Sequence, residues 1–146
     1  MTSHDTPPAP ARAADRPRRI LVADDVGDSR VLLVRLLRQF TAAEIHEARD
    51  GSRALEQFRR LRPDITLLDV DMPERDGMSV LNEIRRDGDT EAFVAMVTAR
   101  SEADLVHDAV AQGVGSFVVK PYSARRVLDM LQRYVAKTGD TGMLAR

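Results

Sequence analysis

The strongest constraint on this chain is a repeated alternation: five times over, a short run of strand length is followed by a segment with helical spacing. The strand-length runs stand at residues 20–23 (ILVA), 44–48 (EIHEA), 65–70 (ITLLDV), 92–98 (AFVAMVT) and 116–119 (SFVV). All but the second are mainly apolar with little alternation, as expected of strands covered on both faces. Between and after them, apolar residues recur at helical spacing. They are Val31, Leu32, Val34, Leu36 and Phe40; Ala54, Leu55, Phe58 and Leu61; Met78, Leu81 and Ile84; Leu105, Val106, Ala109 and Val110; and Val127, Leu128, Leu131 and Val135. Asp28-Ser29 offers N-cap chemistry to the first helix, Asp50-Gly51-Ser52 a turn, Pro63 a stop, Gln112-Gly113 a close and Ser123 a cap. Strand–helix units on short connections imply an α/β fold whose parallel sheet carries helices on both faces. Five units in about 120 residues predict a flavodoxin-like, doubly wound five-stranded parallel sheet in the order 2-1-3-4-5.

Composition sets the boundaries of the folded part. The 146 residues carry a net charge of −1, so no general field draws the chain to nucleic acid or to an anionic membrane. The absence of cysteine removes disulfides, thiolate chemistry and Cys-ligated metal together. No apolar run approaches the ~18 residues of a membrane span, and the N-terminus lacks the apolar core of a secretory signal; a cytoplasmic location is expected. Residues 1–18 hold four of the seven prolines and no large aliphatic beyond Met1, and are expected to be a disordered arm. Residues 138–146 (TGDTGMLAR) show no periodicity and are expected to fray. The folded domain is thus expected over residues 19–137.

The predicted strand order gathers a particular set of side chains. Asp24 and Asp25 follow the first strand, Asp69 lies near the end of the third with Asp71 just past it, Thr98 ends the fourth, and Lys120, followed by Pro121, ends the fifth. Ligands in such sheets sit beyond the C-terminal strand ends. Like-charged carboxylates about 4 Å apart repel by roughly 4 kcal/mol per pair at an effective dielectric near 20. A hard divalent cation relieves this, and an all-oxygen set suits Mg²⁺ or Mn²⁺. Lys120 and the Thr98 hydroxyl complement an anion, so the set is built for a phosphoryl group, with central Asp69 as the carboxylate nucleophile. Lys120 is one of two lysines beside twenty arginines, and a compact cation suits such a pocket. Plainer readings stand beside these: an Asp-Asp pair also serves turns and caps, a strand-end Thr is usually structural, and Phe117 fits a core. His4, His46 and His107 are read as solvated or packing residues rather than ligands.

In ILVADD, LLDVDMPERDG, MVTA and FVVKPYS, taken in this order, the chain resembles the response-regulator receiver domain of two-component signalling over about residues 19–137. The resemblance implies that Asp69 is the phosphoacceptor and that Asp24 and Asp25 form the acidic metal pair. Asp71 would lend its backbone carbonyl to Mg²⁺, and Thr98 and Lys120 would bind phosphoryl oxygens. Lys120 and Pro121 would join through a cis peptide, and Phe117 would swing inward with Thr98 as the switch. Gly77 matches a turn glycine and Ala99 the small residue that leaves the site open. Asp71 departs from the commonest form, which carries an uncharged side chain there; Arg100 across the rim is placed to pair with it. The implied partners are a sensor histidine kinase or histidine phosphotransfer protein, docking near Gly27, Arg30 and Pro121. A downstream protein would bind on the fourth helix, fifth strand and fifth helix. The resemblance implies a stand-alone, non-enzymatic regulator, a monomer or a phosphorylation-dependent dimer. Two alternatives remain: a degenerate receiver that only binds proteins, and a phosphatase of the haloacid-dehalogenase type, whose DxD motif LLDVDM resembles. That family, however, carries the motif on its first strand and requires more chain.

Overall fold

The computed structural model describes residues 16–99 and 102–145. Five strands and five helices alternate: β1 (Arg19–Ala23), α1 (Gly27–Arg38), β2 (Glu44–Ala48), α2 (Gly51–Leu61), β3 (Ile65–Asp69), α3 (Gly77–Arg86), β4 (Phe93–Thr98), α4 (Ala103–Ala111), β5 (Ser116–Val119) and α5 (Ala124–Thr138). The strands form one parallel sheet in the order β2-β1-β3-β4-β5, the doubly wound arrangement that the alternating periods predict. Its two faces bury separate cores. Ile20, Val22, Ile65, Leu67, Ala95 and Val97 meet Leu33 and Leu37 of α1 and Val127, Met130 and Leu131 of α5. On the other face Leu21, Leu68, Val94 and Met96 meet Leu55 and Phe58 of α2 and Val80, Leu81 and Ile84 of α3. β2 is an edge strand in which only Ala48 is buried, hence its polar alternation.

Local chemistry explains most of the boundaries. Asp50 and Ser123 cap α2 and α5 by accepting the amides of Arg53 and Arg126, and Asp76 does the same for α3 through Ser79. The first helix departs from expectation. It starts at Gly27 with Val26 as N-cap and no side-chain cap, because valine carries no side-chain acceptor; the amide of Val26 itself donates to Asp24 Oδ1 at 2.9 Å. Asp28 sits inside the first turn, where its charge complements the helix dipole. The buried stripe of α1 runs through Leu33, Val34 and Leu37, while Val31 and Leu32 are 47% and 44% exposed; these two lie on the other side of the 3.6-residue turn.

The described segments on either side of residues 19–137 make specific contacts. The tail expected to fray forms a 3₁₀ turn over Thr141–Met143, and Met143 is completely buried against the α1/α5 core. Its neighbour Ala145 donates its amide to the Phe40 carbonyl. Arg18 binds Asp140 with three hydrogen bonds of 2.6–3.1 Å, and the Tyr134 hydroxyl donates to the same carboxylate at 2.8 Å. Arg16 pairs with Asp64 at 3.1 Å. Among the described residues, contacts therefore reach from Arg16 to Ala145 through one buried methionine and two arginine–aspartate pairs. The arm over residues 1–15 and Arg100 lie outside the described residues.

Candidate functional site

Strand register delivers the site. Ala23 pairs with Leu68, Asp69 with Val97, and Thr98 with Val119. The residue after β1, the last residues of β3 and β4 and the residue after β5 therefore stand side by side at one edge of the sheet. The turns are held there by Asp24 N–H on the Ala48 carbonyl, Val70 N–H on Val97 and Lys120 N–H on Thr98. Asp24 and Asp69 are 1% and 3% exposed, Thr98 is 1% exposed, and Asp25 lies open at the mouth. Carboxylate oxygens of Asp24, Asp25 and Asp69 all lie within 4.8 Å of one another. The Lys120 ammonium is 2.7 Å from Asp69 Oδ2 and 3.5 Å from Asp24 Oδ2. Asp69 Oδ1 accepts the Asp71 amide at 3.1 Å.

The pocket is electrostatically incomplete. Among the described residues, and with every group ionised, three carboxylates against one ammonium leave a formal charge of −2 (three of −1, one of +1), with Asp24 and Asp69 buried and Asp25 exposed. Burial pushes Asp69 up to about 6, although the Lys120 bond and the Asp71 amide pull the other way. Burial raises Asp24 too, but the Val26 amide, the Ser29 hydroxyl and the Lys120 charge prevail and hold it below the usual carboxylate range. Lys120 loses hydration, yet Asp69 and Asp24 keep it above the usual lysine value. A hard divalent cation has the charge and ligand preference that this oxygen set lacks, so the residues present fit one.

Other features shape the rim. The Lys120–Pro121 peptide is cis. A Cβ at Gly77 would overlap the Asp69 carbonyl, so only glycine lets α3 begin this close behind the central carboxylate. Phe117 is half-buried, pairs with Met96 across the sheet and packs on the α2/α3 side. Asp71 and Ala99 are exposed at the mouth. Arg30 donates to the Asp24 carbonyl at 2.8 Å and to Glu47 at 2.8 Å. His46 lies in β2 against Glu44, and His107 is exposed on α4; His4 lies outside the described residues. One participant is not apparent from sequence: the Tyr122 hydroxyl donates to Asp24 Oδ2 at 3.2 Å. Its place two residues after Lys120 is the only signal the sequence offers.

A profile of the response regulator receiver domain matches residues 20–132, which run from the second residue of β1 through β5 and into the first nine residues of α5. The chain belongs to this family. Among its relatives, this receiver domain is 34% identical to the chemotaxis protein CheY of Bacillus subtilis over 115 residues, 79% of this chain and 95% of that one. It is also 34% identical to the transcriptional regulatory protein PdtaR of Mycobacterium tuberculosis over 121 residues, 83% of this chain but 58% of the relative. The crystal structure of the chemotaxis protein CheY4 of Vibrio cholerae superposes with a TM-score of 0.74 at 25% identity, covering 82% of this chain and 99% of that one. The chain is thus a response regulator receiver domain of two-component signalling. The DxD-like pair of this receiver lies on and after β3 rather than on the first strand, which removes the main likeness to the haloacid-dehalogenase phosphatases. No helix among the described residues is long and apolar enough to cross a membrane.

Proposed function

We propose that this receiver is a phosphorylatable switch: Asp69 accepts a phosphoryl group from a sensor histidine kinase or a histidine phosphotransfer protein. An Asp69 oxygen forms the new bond to phosphorus while the donor's phosphorus–nitrogen bond breaks, its electron pair returning to the imidazole. The observation that carries this reading is the Lys120 ammonium, 2.7 Å from Asp69 at the centre of a three-carboxylate cluster. Asp24, Asp25, Asp69 and the Asp71 backbone carbonyl would hold Mg²⁺ or Mn²⁺. Such an ion, when bound, offsets negative charge at the transferring oxygens. The residues' own part is positioning and neutralisation: Lys120 and the Thr98 hydroxyl receive the phosphoryl oxygens, and no general base is needed.

The added charge then draws Thr98 and Lys120 toward the phosphoryl group and biases a two-state equilibrium that includes Phe117. Its output is the face formed by α4, β5 and α5, where a downstream protein binds. The donor docks over Gly27, Arg30 and Pro121 at the mouth. On this reading the chain works in the cytoplasm and turns over no substrate of its own, and contacts neither nucleic acid nor membrane. The test is incubation with Mg²⁺ and acetyl phosphate followed by intact-mass spectrometry. One phosphoryl increment on the wild type, absent from Asp69→Asn, is the expected result. An increment that persists on Asp69→Asn overturns the assignment. A wild type that never gains one points to a purely protein-binding role, and steady release of phosphate from a simple ester points to the phosphatase alternative.

A further inference from the structure

Asp24 is the most deeply buried acid of the site, and both of its oxygens are held. Oδ1 accepts the Val26 amide at 2.9 Å. Oδ2 accepts the Tyr122 hydroxyl at 3.2 Å and lies 3.5 Å from the Lys120 ammonium. The same ammonium is closer to Asp69, at 2.7 Å. Tyr122 is thus in a contest with Lys120 for one carboxylate oxygen. Its ring is anchored against the α1/α5 core, and the ammonium stands 5.9 Å from the ring centroid.

We infer that Tyr122 is a positioning residue of the cation site, holding Asp24 Oδ2 toward Asp25 and Asp69 and away from Lys120. The inference rests on the reading of the acid cluster as a Mg²⁺ or Mn²⁺ site. Without the hydroxyl, the Ser29 hydroxyl and the Lys120 ammonium remain near the carboxylate, and of these the ammonium is the charged and stronger donor. The carboxylate then turns toward it, and an ammonium occupies the charge that a cation would neutralise. Lys120 is also drawn from Asp69, the residue it must serve during transfer. Hydrogen-bond donors behind metal-binding carboxylates act in this way, and their removal commonly weakens metal affinity by about 10- to 100-fold.

The test is a Mn²⁺ titration of the full chain, monitored by electron paramagnetic resonance with no phosphodonor present. Tyr122→Phe keeps the ring, its packing and its contact with the ammonium. It is expected to raise the Mn²⁺ Kd by roughly tenfold or more, with an unchanged melting temperature in EDTA. Tyr134→Phe, which removes a buried hydroxyl from Asp140 at the opposite edge of the sheet, is expected to leave the Mn²⁺ Kd at the wild-type value. Equal Mn²⁺ affinity in wild type and Tyr122→Phe overturns the role of Tyr122 while leaving the cation site intact. A wild type that binds no Mn²⁺ overturns both. An equal loss in Tyr134→Phe shows a general loosening and also overturns the inference.

Discussion

The two edges of the sheet use nearly the same residue types for opposite ends. At the N-terminal edge Asp64 and Asp140 face Arg16 and Arg18, with the Tyr134 hydroxyl on Asp140. At the C-terminal edge Asp24, Asp25 and Asp69 cluster around the Lys120 ammonium, with the Tyr122 hydroxyl on Asp24. Among the described residues the first set pairs each acid with an arginine, and Arg18 grips both oxygens of Asp140. The second has two acids in excess, in the part of the molecule where charge is hardest to bury. The lesson is that aspartate, base and tyrosine make a clasp when the charges close and a binding site when they do not. The guanidinium, planar and bidentate, belongs to the clasp, and the compact ammonium to the pocket.

The contrast is broken most strongly by deleting an acid from each edge. Asp140→Ala leaves Arg18 and the Tyr134 hydroxyl without their acceptor and is expected to cost about 2 kcal/mol in urea unfolding. Acceptance of a phosphoryl group from acetyl phosphate should be unchanged; a loss of acceptance would mean that the two edges are not independent. At the other edge, Asp69→Asn is expected to stabilise the chain in EDTA at pH 7.5, by about 1 kcal/mol once the weakened Lys120 bond is allowed for. Its folded-state pKa is raised to about 6. The cost of ionising it is therefore absent below the unfolded value near 4, grows as pH rises between the two, and is complete above the folded value. The advantage of Asp69→Asn over wild type should accordingly shrink as pH falls from 7.5 to 4, and thermal melts across that range would show it.

A smaller effect sharpens the picture at the clasp. Burial and the neighbouring Asp140 hold the Tyr134 hydroxyl in its protonated form well above the usual tyrosine range. Its contribution is fully present below the unfolded value near 10 and erodes as pH climbs beyond that. The stability gap between wild type and Tyr134→Phe should narrow by about 1 kcal/mol between pH 9 and 11, because over that range the unfolded hydroxyl ionises while the folded one stays protonated. A gap that stays constant would remove the hydroxyl from the clasp's energetics.

The fold was readable because its signal is local. Each run of Val, Ile and Leu announces a strand, and right-handed crossovers leave few orders for five of them. The gathering of Asp24, Asp25, Asp69, Thr98 and Lys120 at one end of the sheet is readable for the same reason, since strand ends are where register must bring side chains together. What escaped was long-range or a matter of angle. Arg18 and Asp140 are 122 positions apart, and nothing in either neighbourhood marks the other. Met143 reads as part of a glycine-rich tail until the space beside Thr41 is seen to receive it. Val31 and Leu32 look like core residues on α1 and are half-exposed, because an apolar pattern shows a stripe's existence more clearly than its centre. The role of Tyr122 lies in one hydroxyl whose target is set by the fold of the β5–α5 turn.

The clasp also fixes where the described chain enters and leaves. Arg18 leads into β1 at the edge of the sheet where Asp140 follows α5, and Ala145 is bonded beside Phe40 at the same end. The two terminal segments thus emerge as near neighbours on the pole remote from Asp69. Both of these described ends therefore lie away from the mouth of the acidic cavity, where an incoming donor would approach.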